Sequence, residues 1–129
     1  MIEPQFLSVD AVEFLHSRSI ARYGGTMCIR DRGGLEAAVN QPLNTYYYGR
    51  GDLFDIAAAY AFHIAEAQAF LDGNKRTAVA AALNFLALNG VETAFDSRKL
   101  YDAMIGIAEK RIGKTDLARL LRDQAHREG

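Results

Sequence analysis

Apolar residues recur at helical spacing along most of the chain, while period-two alternation is scarce. Ser8 or Asp10 caps a first helix running to about Arg22, with Val12, Leu15 and Ile20 near one face and Gly24-Gly25 as its stop. Residues 31–40 form a short second helix carrying Leu35, Ala38 and Val39. Residues 41–51 read as a loop, because they hold Pro42, three consecutive tyrosines and a Gly-Arg-Gly. A long third helix covers about residues 52–71, with Ile56, Tyr60, Ile64 and Ala67 as its buried stripe. It is rich in Ala on most sides, which predicts a central helix packed on several faces. A fourth helix runs over about residues 75–89 and stops at Gly90. Asp96 or Ser97 caps a fifth, with Leu100, Met104 and Ile107 inward, and Thr115 caps a sixth, with Leu117, Leu120 and Leu121. The best strand signal, residues 91–95, is short. The pattern predicts an all-α bundle of about six helices in one domain over residues 1–129.

Composition narrows the class. The chain has 129 residues, half of them apolar, which suffices for one core. Its net charge is −1, from 15 basic and 16 acidic residues, which argues against a protein that coats nucleic acid or an anionic membrane. The single cysteine, Cys28, cannot form an internal disulfide, and the start of the chain lacks a basic segment followed by an apolar one. Both point to the cytoplasm. The longest strictly apolar run, residues 56–62, has seven residues, well short of the roughly 18 that a membrane span needs.

The chemistry concentrates between the third and fourth helices, in "AEAQAFLDGNKRTA", residues 65–78. Lys75 and Arg76 stand at a helix start, where unpaired N–H groups and the helix dipole disfavour cations by roughly 0.3–1 kcal/mol each. An external phosphate would resolve the conflict by meeting free N–H groups, an ammonium and a guanidinium together. Gly73 allows close backbone approach, Asn74 can cap the helix or contact phosphate, and the Asp72 carboxylate could hold Mg²⁺. The residues also allow a plainer reading, in which Asp-Gly-Asn is an ordinary turn and both cations are solvated.

The run Gln68-Ala69-Phe70-Leu71-Asp72-Gly73-Asn74-Lys75-Arg76 resembles the Fic/Doc motif, H-x-F-x-D/E-G-N-K/G-R. "RYGGTMCIRDRGGLEAAVNQP" is similar to the early helix-loop-helix of small Doc-type toxins, and "DLFDIAAAYAFHIAEAQAFLDGNKRTAVAAALNFLALNG" to their central helix pair. The resemblance implies transfer of part of a nucleotide onto a protein hydroxyl. The motif histidine would be the general base, Asp72 the Mg²⁺ ligand, and the loop N–H groups with Gly73, Asn74, Lys75 and Arg76 the phosphate contacts. It further implies a flap that docks the target, here assigned to the loop around Tyr46 to Leu53. Adenylyl-transferring members usually have Gly where this chain has Lys75, and a second Arg that is missing from this Ala-rich stretch. Both differences point to the Doc-type branch. That branch implies ATP-dependent phosphoryl transfer to elongation factor Tu and a Phd-type antitoxin partner, with no membrane and no direct nucleic-acid partner.

One position departs from the motif: Gln68 occupies the place of the histidine. An amide has no useful basicity near neutral pH, and losing a general base typically costs ~10²–10⁴-fold in rate. On a continuous helix His63 would lie about 140° round from position 68, and neither His16 nor His126 has a sequence reason to reach the site. Gln68 therefore marks either an engineered substitution that disarms a toxin or natural divergence to a binding-only or slow protein. The intact remainder of the motif favours the first. Tyr46, Tyr47 and Tyr48 could grip a peptide or pack on the core. Arg30-Asp31 reads as a loop ion pair, a helix cap or part of the site, and Lys110, Arg111 and Lys114 as a solvated basic face ahead of a phosphate contact. An affinity for RNA or DNA that falls steeply with salt would support a nucleic-acid role instead.

Overall fold

A computed structural model describes residues 3–92 and 94–128. Six helices form an all-α bundle: α1 Val9–Tyr23, α2 Arg32–Tyr47, α3 Leu53–Ala67, α4 Asn74–Leu88, α5 Ser97–Ala108 and α6 Lys114–Glu128. The central position predicted for α3 is observed. Ile56, Ala57, Ala58, Ala59, Tyr60 and Ala61 are all buried, and α2, α4 and α6 pack around them. Small side chains on every side let these helices approach closely. Ser8 caps α1 by accepting from the Ala11 N–H, and Asp96 caps α5 by accepting from the Lys99 N–H.

Four expectations change, the first being that α6 starts at Lys114, so Thr115 lies inside that helix instead of capping it. Residues 41–47 belong to α2, with Pro42 inside the helix and buried. A proline there removes one N–H bond, but Leu35, Ala38, Val39 and Pro42 share a buried face that carries the helix through. The third helix ends at Ala67, four residues before its expected end, because Gln68 adopts the left-handed conformation (φ 49°, ψ 39°). Residues 91–95 form no strand among the described residues, of which Thr93 is not one. The only β-type pairing described is an isolated antiparallel bridge between Ile29 and Phe70.

Candidate active site

The stretch from Gln68 to Arg76 turns the chain from α3 into α4 and is fixed from three directions. On its own side, the Asn74 carboxamide accepts from the Phe70 N–H (3.1 Å) and donates to the Phe70 carbonyl (2.9 Å), which closes a five-residue loop. From the segment before α2, the Arg30 and Asp31 N–H groups donate to the Ala69 carbonyl, and the Leu71 N–H donates to the Cys28 carbonyl. The Arg30 side chain donates to the Gln68 carbonyl at 2.9 Å, and the Thr26 N–H donates to Asp72 Oδ2 at 2.8 Å. From α1, buried His16 stacks on Phe70 with centroids 3.8 Å apart and donates from Nε2 to the Asp72 carbonyl at 2.8 Å. His16 thus reaches the site as a clamp beneath the loop. The sequence carried no sign of this, since the contact spans 56 residues.

The Asn74 side chain does not cap α4 as expected, being taken up by Phe70. Gly73 stands at its N-cap with φ 79° and no side-chain cap, and the backbone N–H groups of residues 72–76 have no partner among the described residues. A β-carbon on Gly73 would lie 3.2 Å from Arg76 Nη2, so both its conformation and its surroundings favour glycine. The two cations diverge. Arg76 turns towards α1, donating to the Gly24 carbonyl at 3.1 Å with its guanidinium over the Tyr23 ring. Lys75 turns the other way and lines a cavity of about 190 Å³ with Ala65, Glu66, Gln68, Met104 and Lys110. Lys75 and Arg76 therefore flank the free N–H groups rather than crowd them, an arrangement suited to a polyphosphate. Residues 78, 79, 81 and 82 of the Ala-rich stretch are buried in the core, so no second arginine could project there without disrupting it.

Asp72 is a lone carboxylate. Among the described residues no group of three or more His, Cys, Asp or Glu side chains could hold a metal. One of its oxygens already accepts from Thr26. Such a donor set suits Mg²⁺, which is commonly held by one or two carboxylates together with substrate phosphates and water. A metal held by protein groups alone would not fit.

Gln68 is held at the end of α3 rather than along its side. Its Nε2 donates to the Ala65 carbonyl at 2.8 Å, satisfying one of the unpaired carbonyls there, and its Oε1 lies 3.5 Å from Asn74 Nδ2. His63 is turned elsewhere: its Nε2 accepts from Lys114 Nζ at 3.0 Å. Burial and the Lys114 charge push its imidazole down to about 4. Lys114 contacts His63, which removes it from the expected solvated face, whereas Lys110 and Arg111 are exposed, Arg111 pairing with Glu109 at the surface. Asp31 caps α2, as one of its readings had it.

The loop around Tyr46 to Leu53 is not beside the motif. It lies at the N-terminal end of α3, a helix about 22 Å long with Gln68 at its other end. Tyr46 packs on Phe6, Tyr47 bonds to Glu3, and Tyr46, Arg50 and Leu53 line a separate cleft of about 640 Å³. Residues 26–31 lie alongside the motif instead.

The chain belongs to the Fic/DOC family, whose signature matches residues 6–86. It is 38% identical over 117 residues to the protein kinase doc of Escherichia phage P1, covering 90% of this chain and 92% of that protein. It is 44% identical over 108 residues to the toxin Doc of Mycolicibacterium smegmatis, covering 79% of this chain and 81% of that one.

Proposed function

We propose that this protein is a Doc-type toxin. It binds ATP with Mg²⁺ and transfers the γ-phosphoryl group to a hydroxyl of a translation factor of the elongation factor Tu class, and a Phd-type antitoxin restrains it. The observation that carries the reading is the row of unpartnered N–H groups at residues 72–76, flanked by Lys75 and Arg76 and preceded by Asp72. In this reading the N–H groups, with Gly73 giving access, seat the phosphates, and Asp72 holds Mg²⁺, which neutralises phosphate charge. Asn74 contributes its N–H while its side chain keeps the loop closed. Lys75 and Arg76 stabilise the charge that spreads over the transferring oxygens. Lys75 and the lack of a second arginine favour phosphoryl over adenylyl transfer. The names of the relatives, a kinase and a toxin, agree with this.

Gln68 limits the rate. Its amide can hold a hydroxyl but cannot take its proton, so transfer should be slow by roughly 10²–10⁴-fold. Its Nε2 is also committed to the Ala65 carbonyl. That observation favours a second reading, in which the protein holds nucleotide or antitoxin without turnover. The test compares the chain with its Gln68→His form, using γ-labelled and α-labelled ATP and a cell extract. Transfer from the γ position, raised at least ~10²-fold by Gln68→His, is the expected result. Label from the α position would mean adenylyl transfer. ATP binding without any transfer, in both forms, would favour the binding module.

A further inference from the structure

We propose that Glu66 serves as the proton acceptor in this chain, taking over the task that the Gln68 amide cannot perform. The proposal rests on the phosphotransfer reading above. Other candidate bases around the loop are committed elsewhere. His16 is buried beneath the loop, stacked on Phe70 and bonded through Nε2 to the Asp72 carbonyl. His63 accepts from Lys114. Asp72 stands where the cation and phosphates belong, with one oxygen on the Thr26 N–H. Glu66 has no ion pair among the described residues and lines the same cavity of about 190 Å³ as Gln68 and Lys75. Lys75, in the first turn of α4, and Gln68, at the start of the motif, tie this cavity to the two ends of the loop that carries the free N–H groups.

Backbone strain points to the same place. Three non-glycine residues have positive φ among those described: Arg50, Gln68 and Lys110. Gln68 and Lys110 both line this cavity. Left-handed conformations in ordinary residues cost roughly 1–3 kcal/mol each and tend to gather where side-chain placement matters. Glu66 shares the cavity with these two and supplies the one carboxylate in it.

The chemistry requires no more than a carboxylate. Phosphoryl transfer passes through a loose transition state, and protein kinases use an aspartate to accept the hydroxyl proton. Here the target oxygen would bond to the γ-phosphorus as the bond from that phosphorus to the β–γ bridging oxygen breaks. ADP leaves with that electron pair, and the hydroxyl proton passes to the Glu66 carboxylate, which releases it to solvent.

Glu66→Gln keeps the shape and removes the basicity. It should be made in the Gln68 chain and in the Gln68→His background, and transfer from γ-labelled ATP to a cell extract measured in all four forms. The Gln68 chain should label slowly, and Glu66→Gln should reduce that by at least ~10-fold. The loss should be several-fold smaller in the Gln68→His background, where the imidazole takes the proton. Calorimetric affinity for ATP–Mg²⁺ separates lost chemistry from lost binding. Equal losses in both backgrounds, no loss in the Gln68 chain, or loss of ATP binding would each overturn the assignment. So would a Gln68 chain that transfers nothing while Gln68→His labels protein. No labelling from any form, Gln68→His included, would instead overturn the phosphotransfer reading beneath it.

Discussion

Position 68 carries a backbone demand as well as a chemical one. Its left-handed conformation is tolerated better by His than by most residues, so Gln68→His should change reactivity with little effect on stability. His63 shows the opposite balance, with more bearing on stability than on chemistry. Burial and Lys114 hold its imidazole down to about 4. The unfolded chain takes up a proton near its ordinary value of about 6.5, while the folded chain resists until about pH 4. Stability from this group is therefore complete above about pH 6.5 and falls as pH drops towards 4. The residue is half-exposed, so solvent screening limits the effect to roughly 1–2 kcal/mol. Urea denaturation at about pH 7 and about pH 4.5 should show a loss smaller by that amount in His63→Gln. Identical losses in the two proteins would dismiss His63 as the source.

At the level of elements, the helices depend on their ends. Asp52 opens α3 with a capping box: its side chain accepts from the Asp55 N–H, and the Asp55 side chain accepts from the Asp52 N–H. Arg122 of α6 donates to Asp52 Oδ2 at 2.8 Å and lies 3.4 Å from Asp55 Oδ1. Burial raises the Asp52 carboxyl, but the Asp55 N–H and Arg122 outweigh it and leave it below the usual range. Asp52→Ala should cost about 1–2 kcal/mol, mostly through the lost cap; a change under about 0.5 kcal/mol in chemical denaturation would show that the cap contributes little. The starts of α1, α3 and α5 were legible because capping chemistry is local: Ser8, Asp52 and Asp96 each contact a residue three positions on. The stops were less so. Pro42 suggested a break, yet a buried face keeps α2 going. Gln68 ends α3 without the glycine that usually marks such a stop.

Across the whole molecule, α3 sets the geography, with the motif at one end and the 46–53 loop at the other. The motif itself was legible because its functional residues are consecutive. Its supports were not, because His16, Thr26 and Arg30 reach it across 56, 46 and 38 residues of chain. No helix among the described residues is long and apolar enough to cross a membrane. The supports around the motif loop also bear on its dynamics. Phe70 and Leu71 have bonded N–H groups, whereas those of residues 72–76 stand open. Amide hydrogen exchange should therefore change abruptly within seven residues, slow at 70 and 71 and fast from 72 onward. Adding ATP with Mg²⁺ should slow the fast set and leave the slow pair as it was. Uniformly fast exchange across all seven would mean that the loop takes shape only around its ligand, whereas the sharp boundary would mark a binding surface already in place before anything arrives.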